Sequence, residues 1–292
     1  HSVPVRVING RLSTHSAARY VKFARWTAPT FRRLSWVGCQ DEDCYARFSA
    51  CGVPEDRLQI TGSIKFDDAP SSRDNADVQN RVQWSGADPW HRIWTVGSTQ
   101  SGEESMAIDI YNHLRVDHPE LRLILVPRHA ERFDEVADLV QSAGLSVHRR
   151  SRDDSMFDDG WDANSVILVD TIGELRHWWG VGQIATVGGS FGSRGGQNML
   201  EPAGYGCAVS FGPNTSNFKQ IAEQLIDGGG AVRAASASEL ARFVRRCLTD
   251  IPAADSLGRS AREVIAGHQG AIERTVAALV GTEPRDEIRR VA

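Results

Sequence analysis

Long apolar runs are missing from this 292-residue chain; the most continuous, such as Val166–Val169, fall far below the ~18 residues of a membrane-spanning helix. An excess of either charge is missing too. Thirty-three Lys and Arg stand against 37 Asp and Glu, for a net charge of −4, which leaves no electrostatic footprint for nucleic acid. Cysteine is scarce: five residues at unpaired spacings, a usage that fits a reducing compartment. Cys39, Cys44 and Cys51 match no common zinc spacing, so no metal is expected. There is no internal repeat or low-complexity tract, and neither a Walker A nor a GxGxxG motif. What is present is 41% hydrophobic and 24% charged, the composition of a folded chain. At this length roughly 75% of the unfolded surface can be buried without a disulfide or metal staple.

The order of elements reads as α/β. A strand at Val3–Ile8 meets the turn signal Asn9-Gly10, and a helical pattern runs from Thr14 to Leu34, interrupted by Pro29. Trp36–Cys39 reads as a strand, Asp41 as the cap of a helix to Cys51, and Leu58-Gln-Ile-Thr-Gly leads into Ser63–Asp67. The chain does not begin with Met and a strand is under way by residue 3, so residue 1 is expected to be a cut in a longer protein. Residues 69–90, rich in Asp, Ser, Asn and Pro, read as a linker with a short polar helix. A second series follows, with strands expected at 92–97, 121–127, 145–149, 165–169, 183–188, 207–211 and 230–234. Helices are expected at 102–116, 131–143, 173–179, 198–205, 216–227, 237–249 and 257–280. Alternation at this spacing implies a parallel sheet with right-handed crossovers. Continuous apolar strands such as Leu123–Val126 imply helices on both of its faces.

In open α/β sheets, ligands bind beyond the carboxyl ends of the strands. Four polar or glycine-rich ends stand out: Gly97–Gly102 followed by Glu103-Glu104, Pro127-Arg128-His129, Asp170–Glu174, and Gly188–Asn198 leading to Glu201-Pro202. The last lets backbone approach a ligand closely. Free N–H groups at the start of its helix are expected to face an anion. Asn198 and Glu201 are expected on one face of the first turn, with the carboxylate suited to ribose hydroxyls. The Arg128 guanidinium can hold a phosphate through two parallel hydrogen bonds. Lys65 can present an ammonium to a leaving group. His129 reads as structural or as a donor supporting a ligand-binding group rather than a base, Trp178-Trp179 as helix packing, and the arginines from residue 285 on as a solvated end.

At these residues the chain resembles the 3-deoxy-D-manno-octulosonic acid (Kdo) transferases. The matching stretches are Asn9-Gly-Arg-Leu-Ser13, Thr61-Gly-Ser-Ile-Lys-Phe-Asp67, Gly97-Ser-Thr99 with Gly102-Glu-Glu104, and Leu125–Phe133. Asp170–Leu175, Gly188-Gly-Ser-Phe191, Gly195–Pro202 and Phe211-Gly-Pro-Asn with Asn217-Phe218 also match, all in family order. The resemblance implies a GT-B fold, two Rossmann-like parallel-sheet domains facing a cleft, with the N-terminal one incomplete. Residues 1–68 would be the later part of the acceptor-side domain, 69–90 the linker and 91–292 the donor domain, its last helix packing back on the first domain. It implies inverting, metal-independent transfer of Kdo from CMP-Kdo to a lipid A precursor, without a cofactor, at the cytoplasmic side of the bacterial inner membrane. By motif, Pro127, Arg128, Ile172, Gly173, Glu174, Asn198, Met199, Leu200 and Glu201 would bind CMP-Kdo, and Ser98, Gly189 and Ser190 are further candidates at the same strand ends. Lys65 would stabilise the transition state. Gln197 stands where the family usually has His, and His15 where it more often has Arg. The general-base glutamate, a second acidic residue near a Leu-Trp-Pro-Asn motif and the membrane-facing surface are expected upstream of residue 1. Two other readings remain: a GT-B enzyme acting on a UDP-sugar, and a non-catalytic nucleotide-binding module.

Overall fold

The computed structural model of the protein describes residues 3–152 and 161–281; the arginines from residue 285 on lie outside them. The chain divides into two units. The first joins the residues up to Asp68 to those from Gly267 on, and the second is Ala69–Ala266.

The first unit opens with β1 (Val5–Gly10), α1 (Thr14–Lys22), α2 (Ala24–Phe31), β2 (Leu34–Cys39), α3 (Glu42–Ala50) and β3 (Leu58–Ile60). Its strands pair in parallel in the order β1-β2-β3. Side-chain oxygens satisfy the first amides of two helices: Ser13 Oγ accepts from Ser16 N at 3.1 Å and Asp41 Oδ1 from Cys44 N at 2.6 Å. The helical stretch expected from Thr14 to Leu34 breaks at Phe23, not at Pro29. The Thr27 hydroxyl donates to the Tyr20 carbonyl at 2.7 Å, closing the end of α1, and Pro29 is carried inside α2. Cys39, Cys44 and Cys51 join Val37, Phe48 and Leu58 in the apolar core, where burial pushes the Cys39 thiol up to about 12. Such thiols stay protonated, opposite to what a metal ligand needs.

The second unit contains α4 (Ala76–Ser85), β4 (Arg92–Thr99), α5 (Glu103–Leu114), β5 (Leu121–Pro127), α6 (Phe133–Ser142), β6 (Ser146–Arg149) and β7 (Ser165–Leu168). It continues with α7 (Leu175–Val181), β8 (Ile184–Val187), α8 (Leu200–Gly204), β9 (Ala208–Phe211), α9 (Lys219–Asp227), β10 (Ala231–Arg233), α10 (Ala237–Thr249) and α11 (Ile251–His268), whose last two residues count with the first unit. All seven strands are parallel, in the order β10-β9-β8-β4-β5-β7-β6. Alternate residues of one strand enter different cores. Trp94, Leu123 and Leu125 pack with Tyr111, Val136 and Phe243, whereas Ile93, Ile124 and Val126 pack with Trp161 and Trp178. This two-sided burial is why the strands read as unbroken apolar runs.

Residues 69–90 are not a linker; they are part of the second unit. Val78 of α4 is 1% exposed, the Trp84 ring meets Trp178 edge-on at 5.7 Å, and Arg73 donates to the carbonyls of Tyr205 and Gly180. Val82 and Trp84 of this helix and Ala87 just after it pack against the core that holds Trp161 and Trp178. The single helix expected over 257–280 is also two. It breaks at Gly270, whose φ of 89° suits glycine, and α12 (Ala271–Val280) follows in the first unit. There the Asp67 carboxylate accepts from Gly270 N at 2.7 Å, Ala271 N at 3.2 Å and Ile272 N at 2.5 Å.

At the amino end of β4, His91 is 4% exposed and its Nδ1 accepts from Asp88 N at 3.0 Å. Burial, then the Arg122 charge, pushes its pKa down to about 4. The folded value lies below the unfolded ~6.5, so this histidine contributes stability above that pH and loses it on acidification. Between pH 6.5 and 4, the wild type should lose about 2 kcal/mol more unfolding free energy than His91→Asn, measured by guanidinium unfolding of both.

Candidate functional site

The strand order carries the site. Chain direction across the sheet reverses at β4, with β5 on one side and β8 on the other, and such a switch point is where ligands bind. The four ends singled out in the sequence belong to β8, β4, β5 and β7, consecutive neighbours in the sheet. Their exits therefore form one row along a single edge.

The β4 exit is held from beneath. Ser98 adopts a φ of 56°, and the Thr99 hydroxyl donates to Glu104 at 2.6 Å. Glu104 has no exposed surface and takes two hydrogen bonds from Arg132, at 2.6 and 3.1 Å. The hydrogen bond to Glu104 is the main reason that the Arg132 pKa is raised further. Glu103, 4% exposed, accepts from four backbone amides: Gln100 at 2.9 Å, Gly189 at 2.7 Å, Ser190 at 3.1 Å and Phe191 at 3.0 Å. Gly188 lies so close that a Cβ there would stand 2.7 Å from both Ser98 O and Glu103 Oε2.

At the β5 exit, Pro127 is buried, and the Arg128 amide donates to Thr99 O at 3.1 Å. The Arg128 side chain is exposed, and its guanidinium makes no hydrogen bond or ion pair among the described residues. At the β7 exit, Asp170 accepts from Arg149 Nε, Ser151 N and Ser151 Oγ. Burial works to raise its pKa, but the Ser151 and Arg149 hydrogen bonds outweigh it and leave the value lowered. Beyond it Ile172 is 85% exposed and Gly173 has a φ of 90°. Glu174 is less open: Arg150 Nε donates to it at 3.2 Å, Arg81 approaches to 3.4 Å and Trp178 Nε1 donates at 3.4 Å. Its pKa too is lowered, burial being outweighed by Arg150 and Arg81.

At the β8 exit, Gly195 and Gly196 have φ of 85° and 82°, and the loop after β9 holds them. Asn214 Nδ2 donates to Gly192 O at 2.7 Å, and Asn217 Nδ2 to Arg194 O at 2.8 Å. Asn198 Oδ1 accepts from Leu200 N at 3.1 Å, Met199 and Leu200 are buried, and Glu201 is partly exposed.

Two expectations are corrected here. The glycine-rich loop does not offer the amides of Gly189 and Ser190 to a ligand, because Glu103 already occupies them. The following helix is only Leu200–Gly204, with Asn198 ahead of it and taking the Leu200 amide. Ser190 is fully buried; its hydroxyl donates to Val187 O and accepts from Gly212 N, leaving nothing for a ligand. Met199 and Leu200 offer only backbone. Of the candidate side chains along the row, Arg128 and Ile172 are exposed, and Glu174, Asn198 and Glu201 are partly exposed. Sequence reasoning assigned no supporting role to Arg132, Asn214 and Asn217, although the matching stretches Leu125–Phe133, Phe211-Gly-Pro-Asn and Asn217-Phe218 contain them.

Lys65 lies in the first unit, exposed on the turn over 63–67. That turn packs on the Asn9 motif: Asn9, at a φ of 51°, accepts through Oδ1 from Ile64 N and from Gln40 Nε2. Backbone amides hold both Asp67, through three hydrogen bonds, and Glu103, through four. A cavity of about 190 Å³ lined by Arg73, Arg92 and Gln183 lies at the amino ends of β4 and β8, away from the row.

Comparison with known proteins adds four findings. Residues 1–68 match the family described as 3-deoxy-D-manno-octulosonic-acid transferase (kdotransferase). A 3-deoxy-D-manno-octulosonic acid transferase of Haemophilus influenzae is 33% identical over 275 residues, 94% of this chain and 63% of that protein. The chain thus spans under two thirds of that relative's length. The C-terminal CMP-Kdo binding domain of WaaA from Acinetobacter baumannii is 31% identical, with a TM-score of 0.58, over 65% of this chain and 95% of that one. At 12% identity, UDP-GlcNAc 2-epimerase from Neisseria meningitidis matches 96% of this chain and 70% of its own at a TM-score of 0.60. That likeness speaks for the fold alone, α/β of the GT-B type.

Proposed function

The chain belongs to the Kdo transferase family, and from that premise we propose that the row of strand exits in its second unit binds CMP-Kdo. The observation that carries this reading is the adjacency of the β8, β4, β5 and β7 exits, with the exposed Arg128 cation among them, its guanidinium without a hydrogen bond or ion pair among the described residues. In the reading, the Arg128 guanidinium receives the donor phosphate through parallel hydrogen bonds. The Glu201 carboxylate accepts from the ribose hydroxyls. Ile172 gives the cytosine an apolar surface, and the backbone of residues 198–200 lines the floor. The whole enzyme transfers Kdo to a lipid A precursor with inversion and without a metal, in lipopolysaccharide biosynthesis. Negative charge then grows on the departing CMP, where a cation such as Lys65 stabilises the transition state most. The first unit serves the acceptor side. Its acceptor is a membrane lipid, so the enzyme works as a peripheral protein on the cytoplasmic face of the inner membrane. No helix among the described residues is long and apolar enough to cross it.

The test is thermal stabilisation by CMP against UDP. A one-site ligand at ~100 times its Kd adds ~2.7 kcal/mol of stability. CMP should raise the melting temperature by several degrees, and UDP should not. Stabilisation by UDP alone would point instead to a UDP-sugar enzyme, and by neither would remove the nucleotide site.

A further inference from the structure

Four backbone amides converge on one point beneath the candidate site. Three come in sequence from the β8 exit (Gly189, Ser190, Phe191) and one from the β4 exit (Gln100). Such a concavity of N–H groups is an anion-binding device. In a glycine-rich loop beside a nucleotide site, its expected occupant is a phosphate. Here the occupant is the protein's own Glu103, brought in on the first residue of α5 and 4% exposed. Its two oxygens divide the work: Oε2 takes Gln100 and Gly189, and Oε1 takes Ser190 and Phe191. Gly188 permits this closeness, since a Cβ would collide with both the carboxylate and the β4 exit.

We propose that Glu103 is a positioning residue for donor binding: a built-in anion that fixes the β8 loop to the β4 exit and reserves the donor phosphate for Arg128. The link to Arg128 is on the same segment, because its amide is held by the Thr99 carbonyl one residue before Gln100. Removing the carboxylate frees four amides, those of Gly189 and Ser190 buried and those of Gln100 and Phe191 partly so, and loosens both exits together. The functional half of this inference rests on the CMP reading above; the half concerning the anion device does not.

Glu103→Ala and Glu103→Gln separate the two halves when melting and CMP affinity are measured with and without sodium formate. In Glu103→Ala the vacated concavity should bind formate. The melting temperature of the variant should then rise with formate while that of the wild type stays put, and CMP affinity, lowered about tenfold, should return toward the wild-type value. A loss of general packing would not respond to a small carboxylate in this way. Glu103→Gln keeps the shape but turns an NH₂ group toward two of the amides, so it should weaken CMP about tenfold and gain nothing from formate. Should Glu103→Ala fail to fold, the Gln variant decides by CMP affinity alone. Wild-type CMP affinity in Glu103→Gln, or a formate-blind Glu103→Ala, overturns the proposal. If the wild type itself ignores CMP, the donor reading fails, and the formate response still judges the anion device.

Discussion

Arg128→Ala should raise the Kd for CMP by about 30- to 100-fold, equivalent to about 2–3 kcal/mol, while the melting temperature without nucleotide barely moves. The size follows from a charge-assisted, two-pronged contact to a phosphate. The silence of the unliganded protein follows from the geometry: the side chain is exposed and the guanidinium makes no hydrogen bond or ion pair among the described residues. Surface changes of that kind usually stay within about 0.5 kcal/mol. Arg128→Lys keeps the charge but loses the planar fork, so it should recover only part of the affinity. Isothermal titration with CMP reads both variants. Equal affinity in Arg128→Ala and wild type would mean that the phosphate lies elsewhere.

The opposite pattern is expected one layer down. Arg132→Ala should cost about 3–5 kcal/mol of unfolding free energy, because it strands Glu104 with no exposed surface and, among the described residues, only the Thr99 hydroxyl as a partner. Removing one partner of a buried pair is far more harmful than removing both. The double variant Arg132→Met with Glu104→Met should therefore regain most of the loss, and the cycle of single and double variants measures the coupling. Guanidinium unfolding at neutral pH is the readout. A single-variant cost under about 1 kcal/mol would put this pair in the class of exposed bridges.

Much of this arrangement was legible in the residues. Leu123–Val126 and Val166–Val169 announced themselves as two-sided strands because no polar residue interrupts them. The four polar ends were legible because glycine, arginine and carboxylates gathered just where those runs stop. That the four ends share one sheet edge was expected, because ligands bind beyond the carboxyl ends of the strands; their order along it was not legible, since the chain visits β6 and β7 before crossing back to β8. The role of Glu103 was hidden for a related reason. Its four partners include three that lie 86 to 88 residues away, and a first-turn carboxylate ordinarily faces water. Residues 69–90 misled through composition: one buried Val78 and one ring-on-ring Trp84 outweigh a majority of polar neighbours. The long C-terminal helix misled through periodicity, which runs on across Gly270 although the backbone there turns left-handed.

The Asp67 contact with the start of α12 joins residues 203 positions apart. A ribosome delivering this chain therefore releases every residue of the second unit before the first can close. Tying the ends of a flexible segment that long costs about 5 kcal/mol in chain entropy. Folding of the intervening unit shortens the floppy part and lowers that cost, so the later-made body helps the earlier-made one to finish. A nascent chain stalled short of Gly270 would hold Asp67 without its three amides, however complete the second unit had become.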